Sequence, residues 1–459
     1  MAISIPKRFI ITGLAFLGYM FINIIQESLT NVFIEMRNQT NNYTSSKREI
    51  TQIEEANTLG FLVTFIGGAI ATTYGGAITF GIGTGLSACL AILSPALRNV
   101  PLNWVIRVKY LDGLLQGLAY CGVADLWARW SLLEERARVV SIAMSGAHFG
   151  ALLEHIIPVL GANNIIPYTT IFSVIGGSAA IWSIIWLLYV RSDPSKDDSI
   201  SENEKTRLAY RIKYVGTHRV LPENYPWKEI LTSKPVWAIF TVSFLNSCGF
   251  GFYYYHVPSH MIDKGMITEE TYHRIRFAAE ICTAIFWFPA GYICDRARTK
   301  YNPTQVSKRL ICIGFLSVAS LLVLYVVIGF NSSFTIPMLI LFYMMFPLGM
   351  VLCDLVYMVN VIDLSPKYAS LISGIEITFF TIGELLSSYL LVNLYTSTTR
   401  GYDLYLPYVF VIFSIFYCCG AAVYYFWADT KLQTWNQHPR PENVKYDKRA
   451  SALSALTVQ

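Results

Sequence analysis

Twelve apolar runs, each of roughly 20 to 28 residues, dominate this chain of 459 residues. A helix of about 20 apolar residues is long enough to cross the hydrocarbon core of a bilayer. A membrane barrel would instead need alternating segments of about ten residues, and the sequence has none. We therefore expect an all-α polytopic membrane protein with twelve transmembrane helices, at 9–34, 55–74, 77–98, 102–127, 138–162, 166–190, 235–258, 273–294, 309–330, 335–361, 370–395 and 404–427.

The composition agrees with a lipid environment and excludes several classes of function. Only 14% of the residues are charged, whereas about a quarter are charged in a typical soluble domain. The nine cysteines are scattered through apolar segments, which argues against a disulfide framework or a metal site. No basic run, nucleotide-binding loop or nucleophile motif is present. We expect no nucleic-acid partner, no cofactor, no metal and no enzymatic activity.

One long hydrophilic connection divides the chain into two halves. We expect six helices in 1–190, a linker over 191–234, six helices in 235–430 and a tail over 431–459. The linker and the turns on its side of the membrane carry most of the lysines and arginines. The positive-inside rule therefore predicts that both termini, the linker and the tail are cytoplasmic.

Two N-glycosylation sequons follow the first span. Asn38-Gln-Thr and Asn42-Tyr-Thr lie in the loop that this orientation places outside, and Asn331-Ser-Ser also falls on that side. We predict glycosylation at Asn38 and Asn42.

The turn after the eighth span reads Gly291-Tyr-Ile-Cys-Asp295-Arg296-Ala-Arg-Thr-Lys300. This spacing resembles the cytoplasmic loop motif of the major facilitator superfamily. Gly291 would allow two helices to approach closely, Asp295 would attract a neighbouring helix N-terminus, and Arg296 would bridge to an acidic partner. Together these residues would hold the cytoplasmic side shut in one state.

The matching turn of the first half preserves the glycines but not the charges. Thr72 and Thr73 stand where Asp and Arg would be expected. The resemblance implies the major facilitator fold, in which two six-helix halves pack around a central cavity.

Several further stretches resemble the anion:cation symporter family, which includes sialin, the vesicular glutamate transporters and the type I phosphate transporters. They include Trp127-Ala-Arg-Trp130 with Glu135-Arg136, the segment Ser141–Gly150, the linker end Pro226–Ala238, and Asp363–Ala369. The resemblance implies secondary active transport of organic or inorganic anions, driven by protons, sodium or membrane potential. We place Glu135, Arg136 and Asp363 with the cytoplasmic gate.

Departures from the family pattern fall at its charged positions. Gln26, beside Glu27, stands where members carry an arginine in the first span. In the fourth span, Lys109 and Gln116 stand where members have a basic residue and a glutamate tied to proton coupling. In the seventh span, Asn246 stands where glutamate carriers have an arginine. These changes argue against the usual route of proton coupling and against a vesicular glutamate carrier.

Charged residues within spans are costly and usually mark a pathway or an ion pair. Lys109 is a candidate for attracting an anionic substrate, and pairing with Asp112 on the same helical face is the alternative. A buried glutamate could carry a proton in place of the one lost at Gln116, or it could be hydrated or paired. The embedded acids considered are Glu27, Glu154, Glu280, Asp354, Glu376 and Glu384.

The sequence therefore predicts a secondary transporter that moves a small anionic solute by alternating access, with a proton or sodium ion as the coupling ion. A non-transporting receptor or scaffold that retains the fold is the alternative, favoured by the altered residues of the first half. The plasma membrane and a lysosomal or vesicular membrane both fit, and a monomer would suffice. The substrate itself is not predicted.

Overall fold

The computed structural model describes residues 6–41, 47–162, 166–215, 225–251, 253, 262, 267–328, 335–397 and 402–437. The regular secondary structure within these ranges is entirely helical.

Eight α-helical segments build the first half. A π-helical turn, Ile24–Ser28, joins the first two segments, and a 3-10 turn, Phe61–Val63, joins the third and fourth, so each pair forms one crossing. The segments are α1 (Lys7–Asn23), α2 (Leu29–Asn41), α3 (Lys47–Gly60), α4 (Thr64–Tyr74), α5 (Gly76–Leu93), α6 (Leu102–Trp130), α7 (Arg136–Ala162) and α8 (Tyr168–Tyr189).

Two shorter helices lie in the linker, namely α9 (Glu202–Val215) and α10 (Trp227–Thr232). The helices of the second half follow. They are α11 (Lys234–Gly251), α12 (Glu269–Lys300), α13 (Pro303–Ile328), α14 (Thr335–Leu364), α15 (Ala369–Ser397) and α16 (Tyr402–Trp427).

All twelve predicted spans coincide with helices in the part of the chain that the structure describes. Ten of these helices are long and apolar enough to cross a membrane by length and composition alone. The other two predicted spans are 102–127 and 235–258. The first lies in α6, whose charged side chains include Lys109 and Asp112, and the described part of α11 ends at Gly251.

The outer surface of the bundle is apolar. Leu188, Val327 and Phe426 expose 72%, 72% and 76% of their surface, which is the arrangement expected where lipid tails replace water. The protein is therefore a multi-pass membrane protein.

Contacts between the halves bring together helices that border the centre of the molecule. α7 of the first half packs along α12 of the second, and α15 of the second half packs against α4 and α6 of the first. Four of these helices, α6, α7, α12 and α15, also border the space in which the candidate site lies.

Candidate functional site

A cavity of about 1310 Å³ lies between the two halves. Its wall takes residues from α1, α2, α3, α6 and α7 of the first half and from α11, α12, α14 and α15 of the second. This volume is above the usual range for small-molecule sites, so the cavity is large enough for a small solute and water.

The cavity reaches the molecular surface at one end. Glu270 and Arg274, in the first turns of α12, line the cavity and are 75% and 77% exposed. Their side chains pair at 2.5 Å. We call this the open end of the cavity.

The opposite end is closed by a contact between α7 and α12. The carboxylate of Asp295 accepts hydrogen bonds from the backbone N–H groups of Ala137 and Arg138, both at 2.9 Å. These groups belong to the first turn of α7, where helix N–H groups lack internal partners and a negative charge is favourable. A Cβ on Gly291 would collide with Ser141, so the glycine permits the close approach of the two helices.

Asp363 ties the halves together at the same end. Its carboxylate forms ion pairs with Arg136 of α7 and with Arg298 of α12, and all three side chains are buried. We call Asp295, Asp363, Arg136 and Arg298, together with the α7 N-terminus, the latch. Glu135, the other gate candidate, lies beside it and pairs with Arg8 at 2.5 Å.

The prediction that Arg296 bridges to an acid is wrong. Arg296 is exposed, and its Nε donates to the hydroxyl of Tyr292 on its own helix, at 3.1 Å. Lys300 is also exposed and lies over the ring of Tyr301. Arg298, two positions further along α12, makes the ion pair instead because it lies on the face that looks toward Asp363.

Both charged and uncharged groups hold the corresponding turn of the first half, where the Asp125 carboxylate of α6 accepts a hydrogen bond from the backbone N–H of Gly76 at 3.0 Å. The Thr72 hydroxyl donates to the carbonyl of Gly68 on its own helix, at 2.8 Å. The first turn of α15 is anchored to α6 by Ser370, whose hydroxyl donates to the Cys121 carbonyl at 2.7 Å. Tyr225 of the linker donates to the carbonyl of Ala69 at 3.0 Å. No acid at the position of Thr72 caps α15.

The start of the chain is joined to the linker by charged contacts. Lys7 pairs with Asp197 at 2.5 Å, and Arg8 pairs with Glu204 of α9 at 3.0 Å. All four side chains are buried. We call these two contacts the clasp.

Lys109 and Gln116 do not line the cavity in this structure. The Lys109 ammonium donates to the Thr30 hydroxyl at 2.8 Å and lies 3.7 Å from Asp112, so the predicted pair with Asp112 is present. Ser87 joins Asp112 to Gln116, which is fully buried. These residues form a polar network inside the first half.

Gln26 and Glu27 do line the cavity. Both lie in the π-helical turn between α1 and α2. Single π-helical turns inside α-helices occur frequently at functional sites. The first helix therefore presents two adjacent polar side chains to the cavity where the family carries an arginine.

The second half contributes a cluster of buried polar groups. Asn246 of α11 donates its amide N–H to Asp354 of α14 at 2.6 Å. Tyr357 donates its hydroxyl to the same carboxylate at 2.9 Å. Glu376 of α15 accepts a hydrogen bond from Ser243 of α11. Asp354 and Glu376 both line the cavity.

Two other predicted acids lie along the boundary between the halves. Glu280 of α12 is buried and lies 3.2 Å from the ring nitrogen of His148 on α7, so this contact spans the halves. Glu384 lines the cavity on α15.

A cation that the sequence reasoning missed lines the cavity. This cation is Arg276, which lies on α12 and lines the cavity together with His155 and His273. The rings of the two histidines lie 6.4 Å apart, and His155 interacts electrostatically with His273 and with Arg276. A helical periodicity count from Glu280 would have placed Arg276 one turn away on the same face.

Of the two sequons, Asn38 lies in the last turns of α2, and Asn42 lies outside the described residues. Glycosylation at both positions stays a prediction.

Comparison with known proteins connects this geometry to transport. The family model described as Major Facilitator Superfamily matches residues 9–388. Vesicular glutamate transporter 3 of Danio rerio is 26% identical over 97% of this chain and 76% of its own length. Vesicular glutamate transporter 1 of Bos taurus is 26% identical (97% and 80% covered), and vesicular glutamate transporter 2 of Homo sapiens is 24% identical (97% and 77% covered).

A solved structure shares the fold. The proton:xylose symporter XylE, bound to 6-bromo-6-deoxy-D-glucose, superimposes with a TM-score of 0.70 over 94% of this chain and 98% of that chain, at 13% sequence identity. The arrangement of twelve helices in two six-helix halves is thus confirmed. The sequence resemblance to the family that includes the vesicular glutamate transporters is confirmed as well.

Proposed function

The chain belongs to the major facilitator superfamily of transporters, and on that premise we propose that it moves a small anionic solute by alternating access. The halves would rock about the cavity, so that the open end closes when the latch opens. The observation that carries this proposal is a central cavity that reaches the surface at one end and is closed at the other by contacts between the halves.

We propose that the solute is an anion because cationic and imidazole side chains line the cavity. Arg276 offers a planar, permanently charged guanidinium, which suits a carboxylate or a phosphate. His155 and His273 add ring nitrogens beside it. The similar vesicular glutamate transporters, by their names, carry a small carboxylate. We therefore assign anion binding to Arg276, which lines the cavity, rather than to Lys109, which does not.

Uptake into proteoliposomes tests the proposal. Purified protein would be reconstituted and offered radiolabelled L-glutamate, sialic acid or inorganic phosphate under a proton gradient, a sodium gradient or a membrane potential. We expect at least one of these anions to accumulate above the level in protein-free liposomes. If none accumulates under any gradient, and Arg276→Gln changes no binding, the proposal is wrong.

A receptor or scaffold that retains the fold is the second candidate. The observation that favours it is the closed network of Lys109, Asp112, Ser87 and Gln116, which removes the family's charged positions from the cavity. Saturable binding of an anion, with neither uptake nor exchange in proteoliposomes, would support this alternative.

We also propose that the latch end faces the cytoplasm, which follows from the positive-inside rule and is supported by the exposed Arg296 and Lys300 at that end. Protease accessibility of the linker in sealed vesicles tests this orientation. A mobility shift upon enzymatic deglycosylation, reduced in Asn38→Gln and absent when Asn38→Gln is combined with Asn42→Gln, would test the sequons on the other side. Fluorescent tagging would then distinguish a plasma membrane from a vesicular location.

A further inference from the structure

Two carboxylic acids of the second half belong to the cavity wall. Asp354 of α14 and Glu376 of α15 both line the cavity and interact electrostatically. Glu376 is 2% exposed. Two ionised carboxylates in such a position repel each other and lose hydration, so one of them is favoured in the protonated form.

The hydrogen-bond donors to this pair are neutral. Ser243 donates to Glu376, whereas Asn246 and Tyr357 donate to Asp354. Among the described residues, neither carboxylate forms an ion pair with a lysine or an arginine. Embedded acids that are not neutralised by a cation are costly in a membrane protein, and a bound proton removes that cost.

A separate observation points to a missing donor at the pair. Asn246 is 2% exposed, yet the second polar atom of its amide, Oδ1, has no hydrogen-bond partner within the described ranges. A buried acceptor without a donor is unfavourable. The O and N of a side-chain amide are interchangeable by rotation, so a protonated Asp354 would donate to the amide oxygen that is now unsatisfied.

Other titratable groups that face the pair come from three helices. One is a histidine on α7 whose ring nitrogen contacts the carboxylate of Glu280. The others are thiol or phenol groups, which are neutral near physiological pH. These groups are His148 on α7, Cys353 and Tyr357 on α14, and Tyr417 on α16.

The overall charge of the cavity also favours protonation of some of the acids that line it. Six carboxylic acids line it against two arginines, so full ionisation would repel an anionic solute. The acids are Glu27, Glu54, Glu270, Asp354, Glu376 and Glu384, and the arginines are Arg274 and Arg276.

We propose that Asp354 and Glu376 share the coupling proton of the transport cycle. The inference rests on the proposed transport function. It assigns proton coupling to the second half, because Gln116, at the family's coupling position in the first half, cannot titrate. The proton enters through the cavity and reduces its negative charge before the anion binds at Arg276. α14 and α15 also carry Asp363 and Ser370, which hold the closed end, so protonation acts on the helices that must move.

Infrared titration of the purified protein tests the shared proton without any transported solute. The C=O stretch of a protonated carboxylic acid is absent from the ionised form, so its loss on raising the pH reports deprotonation. The set comprises the parent protein, Asp354→Asn, Glu376→Gln and the double variant, each checked for a monodisperse size-exclusion profile. Asp112→Asn is the matched control, since Asp112 is embedded but does not line the cavity.

We expect one titrating band in the parent protein that is lost in Asp354→Asn and equally in Glu376→Gln, and that remains in Asp112→Asn. Ser243→Ala, which removes one donor and keeps both acids, should shift the midpoint and retain the band. The proposal is overturned if both single variants keep the band, if Glu384→Gln alone removes it, or if sodium rather than pH controls it. Because no solute is needed, the shared proton is tested separately from transport: a titrating pair in a protein that transports nothing would uphold the shared proton and refute the transport proposal together with the coupling role.

Discussion

Arg276 is the side chain on which anion binding should depend most directly. It lies on the cavity wall one helical turn from Glu280, near His155, and its guanidinium can form two parallel hydrogen bonds to a carboxylate. Lys109 cannot serve in this structure without leaving Asp112 and Thr30.

We predict that Arg276→Gln weakens the apparent affinity for the transported anion. Loss of a charge-assisted hydrogen bond costs about 1.5–3 kcal/mol, which corresponds to roughly a ten- to hundredfold loss of affinity. Concentration-dependent uptake measures the change. Arg274→Gln is the control because Arg274 is exposed and pairs with Glu270 at the rim, and we expect a small effect. Equal effects of the two substitutions would contradict the assignment.

Asp197 in the clasp gives a pH-dependent contribution to stability. Burial acts to raise the pKa of this carboxyl, but hydrogen bonds from Lys7 and Ser199 together with the Lys7 charge hold the pKa below its ordinary value of 3.8. A pKa that is lower in the folded state stabilises the protein above pH 3.8, and this stabilisation is lost as the pH falls through the folded-state value.

We therefore predict that Asp197→Asn lowers the Tm at neutral pH, and that the difference from the parent protein shrinks at pH values below 3.8. Thermal unfolding in detergent across a pH series measures it. A difference that grew on acidification would show that Asp197 does not stabilise the fold as a carboxylate.

At the scale of elements, the close contact between α7 and α12 determines how tightly the latch closes. Gly291 faces Ser141 and the Ala137 carbonyl, and a Cβ would overlap with the serine side chain. In the first half, Gly68 of α4 makes a similar approach to the Ser370 carbonyl of α15. Backbone proximity at both places requires a residue without a side chain.

We predict that Gly291→Ala lowers stability by about 1–3 kcal/mol, since overpacking forces neighbouring groups apart. Gly177→Ala on α8 is the matched control, because no atom would lie within 4 Å of the new methyl group, and alanine favours a helix over glycine. The Tm of the three proteins in one detergent measures the effect. A Tm for Gly291→Ala that equals or exceeds that of Gly177→Ala would contradict the predicted clash.

For the whole molecule, the latch and the cavity together define one state of an alternating-access cycle. The buried triad of Asp363, Arg136 and Arg298 connects both halves, so separating them at this end exposes three charges to water. Asp363 is the counter-ion of both arginines, so loss of Arg298 leaves the carboxylate paired with Arg136 and removes one charge-assisted contact.

We predict that Arg298→Gln destabilises this state by about 1.5–3 kcal/mol, the cost of one charge-assisted hydrogen bond, and lowers the Tm, whereas Arg296→Gln leaves the Tm unchanged. The motif alone would assign the larger effect to Arg296, so the two substitutions separate the structural prediction from the pattern. Unfolding experiments in detergent, followed by initial rates of anion uptake, give the two measurements. A larger effect of Arg296→Gln would contradict the assignment of the latch.

The sequence predicted those features that depend on local pattern and composition. Apolar length located the spans, and the motif located Asp295 at a turn where a neighbouring helix begins. The motif predicted the ion pair at Arg296 instead of Arg298, although Arg298 shares a helical face with Asp295 at a spacing of three residues. The sequence did not reveal toward which neighbour Lys109 points or that Arg276 enters the cavity, because both depend on how helices far apart in the chain are rotated against each other.

The π-helical turn at Ile24–Ser28 changes the direction in which side chains point on its two sides along the first helix. It holds one residue more than an α-helical turn, so the segments on its two sides are offset by about 100°, the angle that one residue spans. Gain or loss of a single residue at this point would rotate a different side chain into the cavity while every other position kept its amino acid. The lining at Gln26 and Glu27 can thus diverge between relatives through an insertion or a deletion, a change that counting substitutions between aligned sequences would miss.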